Sequence, residues 1–262
     1  MSLSVPSMPI NPAPPVSGAL FLGGTIIIVI ALLLWWAFSA ERKRGPIMPL
    51  VFLGTAFSAI IIEPVFDNTL LYWYPAENPL AVVAAYGRTI PWFVPLGYAW
   101  FFGGAAYLLQ RRFERGISAV QAGLLFIGLV FIDWLAVSIC EWFDLSAFYG
   151  NQPFHWLGSP LWFSFADATG AFVLGAALYG LVPLLRGANL LLLLLLPTFM
   201  YGGVLGSTTA PIALALNSNW SNAMVWLCGS ATIGLCCVLV YVLSRILGVV
   251  TNRPRSLVIN RR

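Results

Sequence analysis

The segment IDWLAVSICEWFD, Ile132–Asp144, carries three carboxylates, Asp133, Glu141 and Asp144, in a chain with only 8% charged residues. Three more acids share this unusual setting. Glu63 and Asp67 stand one helical turn apart in EPVFD, and Asp167 sits in FSFADATG. A carboxyl inside an apolar segment costs about 2.5–3.5 kcal/mol to insert into a bilayer, so it faces a protein interior and marks a functional site by default. Buried carboxyls near one another can give and take protons around neutral pH, which is the chemistry of general acids and bases. Asp133, Glu63, Asp67 and Asp167 are therefore the candidate catalytic groups. The plainer alternative for each is an acid tied off by a hydrogen bond between helices, and Glu141 and Asp144 can also be read as wet loop residues. Glu77 reads as a surface acid.

Candidate substrate contacts come from two aromatic-rich loops, NTLLYWYPAENPLAVVAAYGRTIPW and EWFDLSAFYGNQPFHWLGSPLW. They supply Tyr72, Trp73, Trp92, Trp134, Tyr149, Gln152 and Trp162, together with Glu141, His155 and Arg88. Aromatic faces stabilise developing positive charge, whereas an interfacial belt of Trp and Tyr is the alternative reading. Arg88 could hold an acid ionised, clamp a substrate oxygen or anchor its loop. His155, the only histidine, could relay protons at the site's mouth or hydrogen-bond within its loop. One histidine does not make a His-rich metal site, and no metal or organic cofactor is expected. The four cysteines, Cys140, Cys228, Cys236 and Cys237, lack CxxC spacing and read as small apolar residues, with no disulfide expected.

The elements that must position these groups are transmembrane helices. Hydrophobic residues make up 60% of the 262, and apolar runs reach the roughly 20 residues needed to span a bilayer. Seven spans are predicted: Ala19–Phe38, Ile47–Phe66, Ile90–Leu109, Ile117–Cys140, Pro160–Leu184, Ala188–Leu205 and Ala223–Leu247. The end of the sixth is blurred by Gly202, Gly203 and Gly206, which could break the helix. The fold class is thus all-α, a polytopic seven-helix bundle over 19–250. It has an extended, proline-rich tail at 1–18 and a basic tail at 251–262. The N-terminus has no basic residue ahead of the first apolar run and so lacks the n-region of a cleaved signal peptide.

In this frame every basic residue except Arg88 falls on one face: Arg42, Lys43, Arg44, Arg111, Arg112, Arg115, Arg186, Arg245, Arg253, Arg255, Arg261 and Arg262. The positive-inside rule makes that face cytoplasmic, with the N-terminus outside and the C-terminus inside. Glu41 and Glu114 lie among these arginines and screen them. The remaining seven acids occupy the outer half. At 1.5 Å per residue, Asp133 and Asp167 each lie roughly 10 Å below the outer surface. One Lys against twelve Arg is a GC-rich bacterial bias, which makes the bacterial inner membrane the expected location.

Several classes lack their residues. No Lys lies in the seventh span, so there is no retinal Schiff base. No DDxxD-like pair or P-loop occurs. The blocks EPVFDNTLLYWYP, YGRTIPWFVPLGYAWFFGGAAYL and YGNQPFHWLGSPLWFSFADATG, about a quarter of the chain, resemble those of AveC-like spirocyclases, a family of actinobacterial integral membrane proteins. The family pattern often carries Asn where this chain has Asp167. The resemblance implies a membrane enzyme that closes a spiroketal from a dihydroxy-ketone polyketide and in some cases dehydrates a ring. Small seven-span terpene cyclases share the same physical style. The leading expectation is acid–base cyclisation or dehydration of a lipophilic polyketide or terpenoid. Membrane lipids are the other expected partner, and nucleic acid is not one. A proton-coupled transporter, a lipid-binding protein and a structural subunit of a larger complex remain the alternatives. The oligomeric state is left open.

Overall fold

A computed structural model describes residues 16–75 and 81–251. Glu77, most of the N-terminal tail, and Arg253, Arg255, Arg261 and Arg262 lie outside the described residues. The described residues are 76% helical. Among the described residues, five helices are long and apolar enough to cross a membrane: Ile47–Thr69, Ala119–Trp142, Leu161–Leu184, Gly187–Thr208 and Asn222–Leu247. The chain therefore has the build of a membrane protein.

The other two predicted spans take a different form. Helix α1 (Val16–Ser39) starts inside the stretch expected to be an extended tail, and its apolar part, Gly23–Ser39, is shorter than a full span. The stretch expected to form a third span is composite. Helix α3 (Phe93–Tyr98) opens into a π-helical turn (Ala99–Gly104) and closes again as α4 (Ala105–Glu114). π-helical turns are rare and concentrate at functional sites.

Helix α2 (Ile47–Thr69) carries Pro64 in its interior, and α5 (Ala119–Trp142) begins at a capping box. There Ser118 accepts from the Gln121 backbone N–H while the Gln121 side chain accepts from the Ser118 N–H. Helix α6 (Leu161–Leu181) runs into a 3-10 turn (Val182–Leu184). The sixth apolar stretch begins as a 3-10 run (Gly187–Leu194) and continues as α7 (Leu196–Thr208) and α8 (Ala210–Leu216). The glycines expected to break it do not. Gly202, Gly203 and Gly206 all lie within α7, and the discontinuity falls at Thr209, ahead of Pro211 in the first turn of α8. Proline is tolerated in a first turn because its missing N–H has no helical partner there. Helix α9 (Asn222–Thr251) closes the bundle.

Helix α6 is the axis of the packing and touches α4, α5, α7 and α9. Buried residues make up 61% of its apolar window, against 22% for α5, a helix on the rim. Small residues bring the neighbours close. A Cβ on Gly170 would collide with the Tyr201 ring of α7, and one on Gly54 would come within 2.5 Å of the Leu193 carbonyl.

The loops at one end of the bundle are folded into three two-stranded antiparallel ladders, which hydropathy did not predict. Strand β1 (Tyr72–Trp73) pairs with β4 (Ala147–Phe148), tying together loops distant in sequence. Strands β2 (Ala81–Ala85) and β3 (Arg88–Pro91) form a hairpin, as do β5 (His155–Trp156) and β6 (Ser159–Pro160). Both hairpins turn on two residues with positive φ: Tyr86 (53°) with Gly87 (73°), and Leu157 (53°) with Gly158 (99°). Two positive-φ residues make the type I′ turn that matches strand twist.

The opposite end is held by charge. The Arg44 Nη1 donates to Glu114 at 2.6 Å, and the Arg111 Nη2 donates to Glu41 at 3.0 Å. Arg111 also pairs with Glu114, and the Gln110 amide donates to Glu114 at 3.1 Å. The Glu114 carboxylate holds the Arg44 guanidinium above its ordinary pKa, a pull that burial only partly offsets.

Candidate functional site

Glu63, Asp133 and Asp167 come from α2, α5 and α6, and all three line one cavity of about 250 Å³. Each is buried in the protein, at 7%, 5% and 5% exposure. The cavity lies toward the laddered end of the bundle. Its remaining wall is apolar and aromatic: Phe93, Tyr98, Trp100, Phe101 and Phe102 from the composite helix, Phe163 from α6, and Ile26 and Val29 from α1. Tyr72 and Tyr74 reach it from the lid formed by β1 and β4. The π-helical turn explains how three consecutive aromatics, Trp100, Phe101 and Phe102, all meet this space, since successive residues of a regular α-helix fan around its axis.

The carboxyls have unequal surroundings. Glu63 accepts a hydrogen bond from the Tyr74 hydroxyl at 2.9 Å and another from the Tyr98 hydroxyl. Asp167 Oδ1 accepts from the Tyr201 hydroxyl at 2.7 Å. The Tyr98 and Tyr201 rings meet edge to face with centroids 5.3 Å apart, and Tyr201 also stacks on Phe102 at 4.1 Å. A continuous array therefore runs Tyr74–Glu63–Tyr98–Tyr201–Asp167. Asp133 stands apart from it. Its Oδ2 is buried and accepts no hydrogen bond, and Ser164 lies beside it without reaching bonding geometry. Asp167 interacts electrostatically with both Asp133 and Glu63. Among the described residues, no three His, Cys, Asp or Glu side chains approach closely enough to hold a metal ion. Such an arrangement can exchange protons: two acids are engaged by phenols and one has an oxygen without a hydrogen bond, in an aromatic-walled space.

The other sequence candidates lie elsewhere. Asp67, one turn beyond Glu63, is buried but does not line the cavity; its backbone carbonyl accepts from Arg88 at 3.2 Å. Arg88 also donates to the Tyr149 hydroxyl, and its guanidinium lies 5.5 Å from that ring's centroid. Arg88 is thus the loop anchor rather than a clamp on a cavity ligand, and Tyr149 is its partner. Gln152 donates to the backbone carbonyls of Leu70 and Tyr149 at 3.1 and 3.0 Å, stapling the two loops. Trp73 is buried in the β1–β4 ladder, and Trp162 is fully buried, edge-on to Phe163. Trp134 donates from Nε1 to the Ser159 carbonyl at 3.2 Å, and Trp92 packs over Gly23 of α1. None of these lines the cavity.

His155 and Glu141 also lie outside it and meet each other at 3.3 Å. That contact raises the imidazole pKa; burial opposes it and the Gly158 carbonyl reinforces it. Asp144 occupies a turn with φ of 54°. Of the loop residues named from sequence, Tyr72 alone reaches the cavity. There it donates to Ser146 at 2.7 Å and packs edge-on to Tyr74.

Sequence reasoning missed Tyr74, Tyr98, Tyr201 and Cys140. The only available signal was a tyrosine inside or beside an apolar helix, where a buried hydroxyl needs a polar partner. Compared with protein families, with curated proteins and with solved structures, the chain matches none of them.

Proposed function

We propose that this protein is an integral membrane enzyme that cyclises or dehydrates a lipophilic polyketide or terpenoid by acid–base chemistry. The observation that carries the reading is the convergence of Glu63, Asp133 and Asp167, from three helices, on one aromatic-walled cavity. The resemblance to AveC-like spirocyclases in the blocks around Glu63, Tyr98 and Asp167 supports the same class.

Asp133, whose Oδ2 makes no hydrogen bond of good geometry, acts as the acid that delivers a proton to a carbonyl, hydroxyl or alkene of the substrate. The ring closes or water leaves, and Glu63, poised between Tyr74 and Tyr98, takes the proton released. Closing a spiroketal from a dihydroxy-ketone releases one water, and cyclising a polyprenyl epoxide gives an isomer, so neither closure needs an oxidant or a reductant. The aromatic wall favours a positively charged transition state and holds a floppy chain in a reactive shape. In this reading seven helical segments cross a bacterial inner membrane with the N-terminus outside. The arginine end around Arg44 and Arg111 is cytoplasmic, and the chamber opens in the outer half of the bilayer.

The test is turnover of candidate lipophilic dihydroxy-ketones and polyprenyl epoxides by membranes carrying Asp133→Asn or Glu63→Gln. Each substitution should lower turnover by roughly 10²–10⁴-fold, the usual worth of general acid–base help. Undiminished turnover in both removes the mechanism. The tyrosine–carboxyl array also suits a proton path, which favours a proton-coupled transporter as the second reading. Product formation in detergent, with no gradient, separates the two.

A further inference from the structure

A second cavity, of about 460 Å³, adjoins the acidic one. The two share Val29, Trp100 and Phe101 in their walls, so they lie side by side along the same stretch of α1 and the π-helical turn. The second compartment runs from the chamber toward the arginine end. Along α5 its wall descends from Ile132 through Gly128 to Leu124, and along α4 it descends from Ala105 to Leu108 and Arg112. It exists because α1 packs on α3 and the π-helical turn rather than on α5. Apart from Arg112 it is lined entirely by apolar residues. Leu108 and Leu124 are 46% and 69% exposed, so the compartment is open sideways to whatever surrounds the helices. It ends at Arg112, whose guanidinium donates to the Gly116 carbonyl at 2.9 Å and to Gln121 at 2.8 Å.

We propose that this groove binds the unreacted hydrocarbon tail of the substrate, an extended single chain whose oxygenated end lies in the carboxyl chamber and which enters sideways between α1 and α5. The inference rests on the acid–base reading for the identity of the head-group site and adds the shape of the ligand. Three features select a tail over a compact molecule. The groove has no polar group short of Arg112. It borders the acidic chamber along α5, where Ile132 lines the groove and the neighbouring Asp133 lines the chamber. From Asp133 to Leu124 it spans roughly 14 Å along the helix, about half the thickness of a bilayer's hydrocarbon core. A chain of that length lies against the protein in the same environment it leaves in the membrane, so its entry needs no passage through water.

The space also shows where to block it. A Cβ on Gly128 would meet no atom within 4 Å, and the same holds for Gly97 in the chamber. A side chain can therefore start at either point without its Cβ meeting a packed neighbour.

The probe is a long-chain fatty alcohol with a diazirine at the tail end, photo-crosslinked to the full-length protein in detergent and mapped by peptide mass spectrometry. Labelling is expected at Leu108, Leu124 and Leu125. Gly128→Trp should weaken it by roughly tenfold or more, equivalent to about 1.4 kcal/mol, while Gly128→Ala leaves it unchanged. Gly97→Leu, which fills the chamber, should shift the alcohol outward and lower labelling at the same sites. Labelling spread evenly over lipid-facing residues such as Leu227 and Val238 of α9, or insensitive to Gly128→Trp, overturns the proposal. So does its displacement by excess phospholipid, which would make the groove a seat for a structural lipid. The crosslinking needs no catalysis. Loss of turnover in Asp133→Asn with uniform labelling would leave the acid–base reading standing and remove the groove. Groove-specific labelling with full turnover in Asp133→Asn would do the reverse.

Discussion

The hydroxyl of Tyr201 donates to the Asp167 carboxylate at 2.7 Å, joining α7 to α6 across 34 residues of sequence. The approach depends on Gly170, where any side chain would strike the Tyr201 ring. Tyr201→Phe keeps the stack on Phe102 and removes only the donor. It should cost about 1 kcal/mol of stability, the range for a single buried or interhelical hydrogen bond. It should also lower turnover by up to about 10²-fold through misplacement of Asp167. Thermal unfolding in detergent and turnover, measured on the same preparation, check both. Full turnover in the variant would detach Asp167 from the chemistry.

Asp67 offers the contrast with Glu63. Both are buried on α2 one turn apart, yet only Glu63 lines the chamber. Asp67→Asn should change turnover per folded molecule by less than about tenfold, against the 10²–10⁴ expected of a proton-transferring group. Its effect should appear as a lower midpoint in thermal unfolding, because Asp67 and Arg88 interact electrostatically inside the loop end. A large loss of turnover in correctly folded Asp67→Asn would return it to the catalytic set.

His155 and Glu141 make the laddered end sensitive to pH. The folded imidazole titrates above its unfolded value because Glu141 accepts its hydrogen bond. The contribution is therefore fully present below the unfolded histidine pKa of about 6.5 and fades as pH rises through the higher folded value. The unfolding midpoint of the native protein should fall relative to His155→Gln on going from about pH 6 to about pH 8, spanning that window. Parallel curves for the two proteins would show that the contact is energetically silent.

At the other end, Glu114→Gln removes a carboxylate that engages Arg44, Arg111 and Gln110 together. The expected cost is about 1 kcal/mol, above a typical exposed pair because the site is partly covered and networked. Ser118→Ala should cost a similar amount by removing the first half of the α5 capping box. Chemical denaturation of the two single variants and the double should give nearly additive losses, since the two sites share no hydrogen-bond partner.

Much of this molecule is legible in its sequence because a bilayer imposes long apolar runs. The helices around Phe52, Phe126, Phe172 and Cys236 fall where hydropathy puts them. The acids Glu63, Asp133 and Asp167 stand out because a charged group in such a run is expensive. Hydropathy has no signal for a π-helical turn, since Ala99–Gly104 is as apolar as its flanks. It also has none for short ladders, whose turns put Tyr86 and Leu157, bulky residues that rarely take positive φ, ahead of Gly87 and Gly158. The loop aromatics misled for a related reason. Trp73, Trp162 and Tyr149 are abundant near the chamber because they build its lid. The tyrosines that touch the acids, Tyr74, Tyr98 and Tyr201, became visible only once helices remote in sequence were set side by side.

The wide turn at Ala99–Gly104 sets the rotational phase between the two halves of its helix. Upstream, Tyr98 faces Glu63; downstream, Arg111 faces Glu41. Winding these same six residues as regular α-helix would swing everything beyond them by roughly 100° about the axis. The charged anchor and the phenol could not then both find their partners, so the aim of each half depends on an irregularity that belongs to neither.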